Sequence, residues 1–402
     1  MNDSQPTESD LKKALNHLLE WCAEQRSDNA LTSVNVLPDT GLGQAEAGRL
    51  TANLSLKRAQ SFQSPGWFAH MDPPTPWVTW TTQAFTAAMN QNLLHPDTGE
   101  IGRRMEAKVV AALAPHFGMD GGHMVPGSTL ANLTALWAAR EIAGAKEVVA
   151  SELAHLSVAK AAHILGLPYR TVPCDRAGHI ETDQLGNLEG SCLVLTAGAT
   201  STGSVDPMSP MPKAAWVHVD AAWAGPLRLS PTHRTKLAGL ETAQSVAVSA
   251  HKWLWQPKDS ALILFRESKT AHQALSFGGA YLAAPNIGVM GSSAARAIPL
   301  AATLMAFGRD GIAERLDACV ALAERFAAHI QADPEFELWA PPETGVVAWR
   351  PVKGEVSALR ERLAAQGYFV SQTKLDGEDW LRSVAIHPAI KVDAIYEAAR
   401  NQ

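Results

Sequence analysis

Short apolar runs alternate with helical stretches through the middle of the chain, and no other feature constrains the fold as much. The runs cover residues 147–150, 192–197, 216–219, 245–248 and 261–265. Helical pattern lies around and between them at 103–113, 129–142 and 156–165, and again near Thr235. Strand–helix alternation of this kind predicts an α/β layer structure around a mainly parallel sheet. Ligands of such sheets bind beyond the carboxyl ends of the strands.

The flanks read differently. Residues 11–26 form an amphipathic pattern, with Leu11, Leu15, Leu18, Leu19 and Cys22 on one stripe and Ser9 placed to cap it. From there to about residue 100 the pattern is weak, and Pro65-Gly66, Pro73-Pro74 and Pro76 break any long element. After about residue 310 a helix is expected over 312–332 and strands over 345–349 and 381–386. Further helices are expected at 356–365 and 392–400. The division is a leading segment 1–64, a large domain 65–310 and a small α+β domain 311–402.

Composition narrows the function classes. The 402 residues are 46% apolar and 18% charged, the balance of a folded soluble protein. No apolar run is long enough to span a membrane. Net charge is −6 with no basic block, which sets nucleic-acid partners aside. The N-terminus has neither the basic nor the apolar region of a secretory signal. Cys22, Cys174, Cys192 and Cys319 are far apart with no paired spacing. A disulfide framework or zinc knuckle is therefore not expected, and the reading is a cytoplasmic protein with reduced thiols.

Two strand ends carry the chemistry. The run Trp216-Val217-His218-Val219 ends in Asp220, followed by Ala221-Ala222-Trp223. Taken alone, an Asp there caps the next turn. The run 245–248 continues through Ser249-Ala250 into His251-Lys252-Trp253. A lysine among apolar neighbours is either snorkelling or a buried amine of lowered pKa, and the latter is a good Schiff-base nucleophile. Together the pair suits pyridoxal 5′-phosphate, which needs a lysine for its aldehyde and a carboxylate for its ring nitrogen. Gly127-Ser128-Thr129 opens the helix over 129–142. Glycine admits close approach, hydroxyls donate, and a helix N-terminus favours an anion such as phosphate.

These motifs, in this order, resemble the group II pyridoxal-phosphate-dependent amino-acid decarboxylases, the family of glutamate, aromatic-amino-acid and cysteine-sulfinate decarboxylases. The likeness is carried by Gly127-Ser128-Thr129 with Ala131-Asn132-Leu133, by 196–203 with Asp206-Pro207, by 218–223, and by His251-Lys252-Trp253 with Gln256-Pro257-Lys258. It implies the aspartate-aminotransferase type of fold (fold type I) and a homodimer. It also implies decarboxylation of an L-amino acid to an amine and CO2. Lys252 resembles the Schiff-base lysine, Asp220 the ring-nitrogen partner, and Ala222 the small residue beside the ring. His155 resembles the imidazole that covers the ring. Gly127, Ser128, Thr129 and His251 resemble phosphate-side contacts, and Ser249 stands where the family often has Asn. Arg382 resembles the arginine that holds the substrate α-carboxylate.

Two departures qualify the likeness. Ala199-Thr200 replaces a common Thr-Thr pair, leaving Thr200 as the hydroxyl. The lid stretch 283–293 lacks the tyrosine that many members use to return a proton, and Tyr281, just upstream, is the expected substitute. Another pyridoxal-phosphate reaction on the same fold (lyase, aldehyde synthase or transaminase) is one alternative reading. A non-catalytic cofactor-binding paralogue is the other.

Overall fold

The computed structural model describes residues 35–56, 59–280, 282 and 286–401, together with 8–9, 12–13 and 15–16. The helix expected at 11–26 lies largely outside these residues. The chain separates into two units, Met1–Phe62 and Gln63–Gln402. In the first, the helix Gln44–Ser55 forms where the sequence pattern is weak.

The second unit is built on a seven-stranded sheet. Its strands are β1 (Gly121–Val125), β2 (Glu147–Ser151), β3 (Tyr169–Val172), β4 (Ser191–Thr196), β5 (Trp216–Asp220), β6 (Ser245–Ser249) and β7 (Ala261–Phe265). They lie in the order β1-β7-β6-β5-β4-β2-β3. β3, β2, β4, β5 and β6 pair in parallel, and β7 runs antiparallel to both β6 and β1. β4 to β7 are buried along their whole length, which is why they read as unbroken apolar runs. This is the fold type I arrangement that the resemblance implies.

The helix Ser128–Ala143 lies across β5, β6 and β7, with Ala131 to Leu136 buried. That packing brings a polar residue of the helix, Asn132, against the end of β5.

The small sheet is antiparallel. After the short pair β8 (Ser276–Phe277) and β9 (Asn286–Ile287), its strands β10 (Phe336–Leu338), β11 (Val346–Pro351), β12 (Ser371–Leu375) and β13 (Glu378–Val384) lie in the order β10-β11-β13-β12. The helix expected at 312–332 is the second half of a longer element, Ala297–Ala332, kinked at Gly308. It runs through the expected boundary at 310.

Other differences have physical causes. The helix Trp77–Met89 follows Pro76, which ends the extended segment rather than breaking a helix. It packs on the helix Ala297–Ala332, and its threonines bond back to carbonyls, Thr79 to Pro76 at 2.7 Å and Thr82 to Val78 at 2.8 Å, so tertiary contact holds it where the local pattern is weak. β1 and β3 fall on the sheet edges, where glycine, His and Arg interrupt the apolar signal.

Candidate active site

Four strands of the large sheet and the turn after β1 deliver their following residues to one cavity of about 220 Å³. β1 leads to Gly127, Ser128 and Thr129; β2 to His155; β4 to Thr196, Gly198 and Thr200; β5 to Asp220 and Ala222; β6 to Ser249, His251 and Lys252. Parallel strands place all these carboxyl ends on one edge. Ten of the expected residues therefore meet here: Lys252, Asp220, His155, Gly127, Ser128, Thr129, Thr200, Ala222, Ser249 and His251. Thr196 joins them, paired in register with Asp220 across β4 and β5.

Asp220 is buried and held from two sides. Its Oδ2 accepts from Asn132 Nδ2 at 2.8 Å, and its Oδ1 accepts from the Ala222 amide at 3.1 Å. Both bonds orient the carboxylate. The Lys252 Nζ engages no hydrogen bond or ion pair among the described residues. Burial pulls its pKa below the ordinary lysine value, and Asp220 opposes this only in part. A free amine is the form that attacks an aldehyde. His155 caps the helix Leu156–Ile164, with Nδ1 accepting from the Ser157 amide at 3.2 Å. Burial lowers its pKa, so the ring is neutral.

The opposite end of the cavity suits an anion. Gly127, at φ 91°, is the N-cap of the helix Ser128–Ala143 and provides no side-chain cap, so the first helical N–H groups stay open. Ser128 Oγ donates to Ser249 Oγ at 2.7 Å, and Ser249 Oγ lies 3.2 Å from His251 Nε2. Gly198, at φ 96°, cannot carry a side chain, because a Cβ would meet Trp223 Cδ1 at 2.6 Å. Trp223 stacks on Trp253 with centroids 3.9 Å apart. The Trp253 and Trp255 indoles donate to the Ala385 and Ile386 carbonyls at 3.3 and 3.0 Å. These tryptophans tie the lysine-bearing turn to the small domain.

Two buried polar atoms on the cavity wall, Thr196 Oγ1 and His251 Nδ1, have no partner. Such atoms are costly to leave unpaired, and a ligand with polar substituents at both ends would satisfy them. Amine, carboxylate, aromatic cover and anion cradle all fit pyridoxal phosphate.

Arg382 does not line this cavity. It lies on β13, where its Nε donates to Ser371 Oγ at 3.0 Å and its Nη1 to the Thr200 carbonyl at 3.1 Å, with Nη2 lying 3.2 Å from His70 Nδ1. It therefore abuts the cavity through Thr200. Tyr281 lies outside the described residues. Sequence reading did not single out Asn132, Ser157 or Thr196 as site residues. In-register pairing with Asp220 is the signal that points to Thr196, and the buried helix face is the one that points to Asn132.

Known proteins are similar to this chain. The family model described as the pyridoxal-dependent decarboxylase conserved domain matches residues 55–352. L-2,4-diaminobutyrate decarboxylase of Rhizobium meliloti is 26% identical over 410 residues, covering 91% of this chain and 83% of its own. A probable L-aspartate decarboxylase of Halobacterium salinarum is 32% identical over 318 residues, 75% of this chain and 86% of its own. The structure of Oryza sativa TDC with PLP and tryptamine superposes with a TM-score of 0.86 at 21% identity, over 98% of this chain and 97% of that one. With the motif order, the cavity and these likenesses in agreement, the chain belongs to the pyridoxal-dependent decarboxylases, which use pyridoxal 5′-phosphate to remove the carboxylate of an amino acid.

Proposed function

We propose that this chain decarboxylates an L-amino acid to an amine and CO2, with Lys252 as the residue that holds the cofactor. The supporting observation is the Lys252 amine, without a hydrogen-bond or ion-pair partner among the described residues, in the same cavity as the doubly hydrogen-bonded carboxylate of Asp220. When bound, pyridoxal phosphate supplies an aldehyde for the substrate amine and a ring that accepts the electron pair left by the departing carboxylate.

The chain's own residues do the rest. Lys252 Nζ would hold the cofactor through its aldehyde carbon. Asp220 serves the ring nitrogen and keeps it protonated. His155 covers the ring and excludes water. Gly127, Ser128, Thr129, Ser249 and His251 would hold the phosphate, with Thr200 and Ala222 lining the same cavity. Arg382 has five N–H groups, and after its bonds to Ser371, Thr200, His70 and the Ala69 carbonyl one on Nη1 remains for the substrate carboxylate. Tyr281, His155 Nε2 and Lys252 Nζ are the groups proposed to return a proton to Cα.

The assembly is proposed as a cytoplasmic homodimer, with residues 1–64 as a strap over the second copy, 65–310 as the cofactor domain and 311–402 as the small domain. Among the described residues, no helix is long and apolar enough to cross a membrane.

The test is product analysis. Purified chain with pyridoxal phosphate is incubated with a panel of L-amino acids, beside Lys252→Ala. The expected result is CO2 and amine in equal amounts from one substrate class, with release at least about a thousandfold slower in the variant. Aldehyde or keto acid in place of amine, or equal turnover by the variant, would refute the reading.

A further inference from the structure

Behind the cavity, buried polar groups form one continuous run of hydrogen bonds. The Trp216 indole, which can only donate, bonds Ser245 Oγ at 2.9 Å. Ser245 Oγ lies 2.9 Å from His218 Nδ1, and His218 Nε2 lies 3.0 Å from Asn132 Oδ1. Asn132 Nδ2 donates to both Asp220 Oδ2 and Ser157 Oγ, each at 2.8 Å. Ser157 Oγ lies 2.7 Å from His155 Nδ1. Asn132, His218, Ser157 and Ser245 are all fully buried.

Donor and acceptor rules fix the direction of this run. A carboxylate offers only acceptors, so Asn132 must turn its NH2 toward Asp220. Its Oδ1 then faces His218 Nε2, which must donate. The neutral His218 ring therefore accepts at Nδ1, from the hydroxyl of Ser245. On the other arm, Ser157 Oγ receives the second Asn132 proton and gives its own to His155 Nδ1. The Ser157 amide adds a second donor there at 3.2 Å. His155 is left with its proton on Nε2. Both donors of the Asn132 amide are used, one on each arm. Networks satisfied in this way hold side chains in one arrangement.

We propose that Asn132 is a positioning residue of the decarboxylase: it orients the Asp220 carboxylate and, through its carbonyl, fixes His218 as the Nε2–H form. The consequence for the cofactor rests on the role proposed for Asp220. The tautomer of His218 does not.

The experiment uses the full chain labelled with 15N-histidine, with and without pyridoxal phosphate, at neutral pH. His155→Gln and His218→Gln assign the two rings. In the unsubstituted chain both rings carry the proton on Nε2. In Asn132→Leu, His218 moves its proton to Nδ1, where the Ser245 carbonyl lies 3.2 Å away to accept it. The cofactor dissociation constant rises about tenfold or more, the range for a lost hydrogen bond to a charged group. Asn132→Asp keeps an acceptor for His218 but sets a second carboxyl against Asp220, a pair of which only one ionises, so the charge at Asp220 is reduced. His218 then stays Nε2–H while cofactor binding still weakens.

An unmoved His218 proton in Asn132→Leu overturns the proposal, as does unsubstituted-level cofactor affinity in either variant. Should the leucine variant not fold, the affinity of Asn132→Asp decides alone. Failure of the proposed reaction has a different signature: no CO2 from the unsubstituted chain, with the nitrogen shifts as predicted.

Discussion

The buried layer behind Asp220 and the cavity wall in front of it treat their polar atoms in opposite ways. Behind, from Trp216 to Asn132, each donor meets an acceptor at 2.8–3.0 Å. In front, Thr196 Oγ1 and His251 Nδ1 are buried without partners. Lys252 Nζ likewise has no partner among the described residues. The difference separates two jobs. Groups bonded by the protein hold position, and groups the protein leaves unbonded are available to a ligand.

The largest expected effect concerns acid. Burial pushes the His218 pKa down to about 4, so the fold favours the neutral ring. Unfolded histidine takes up a proton near pH 6.5, and the folded ring does so only at lower pH. The stability due to this ring is therefore whole above about pH 6.5 and lost as pH falls toward about 4. That loss is about 3 kcal/mol. His251 is pushed down to about 4 for the same reason, but its Nε2 lies 3.2 Å from Ser249 Oγ at the anion end of the cavity. Melting temperature followed against pH should fall across this window, and the slope should be shallower in His218→Gln. Adding pyridoxal phosphate should raise the His251 pKa and leave that of His218 in place. Equal shifts of the two rings would erase the contrast between layer and wall.

A smaller effect sharpens the same contrast. Thr196→Val removes an unpartnered hydroxyl while keeping its shape. Cofactor-free chain should keep its stability or gain about 1 kcal/mol, whereas cofactor affinity should fall about fivefold. Thermal melting and a cofactor titration measure the two. A loss of stability without cofactor would mean that the hydroxyl serves the protein instead.

The legibility of these parts in the sequence follows the same line. β4, β5, β6 and β7 are buried on both faces, so their residues form apolar runs, and Asp220 and Lys252 stand out where the runs stop. β1 begins with two glycines and a histidine at an edge, and no run marks it. Asn132 is a polar residue inside a helix, a position where polarity alone does not show whether it faces solvent or sheet. Only the packing of that helix across β5, β6 and β7 makes it a partner of Asp220. The role proposed for Arg382 rests on the resemblance alone. Its bonds to Thr200 and His70 join segments 182 and 312 residues away, which no local pattern encodes.

Borohydride reduction of the cofactor-loaded chain, followed by peptide mass mapping, bears most directly on the lysine assignment. One added pyridoxyl phosphate group on the peptide that contains Lys252, and on no other, is the predicted result. A label on another lysine, or none on a chain that nonetheless releases CO2, would contradict it.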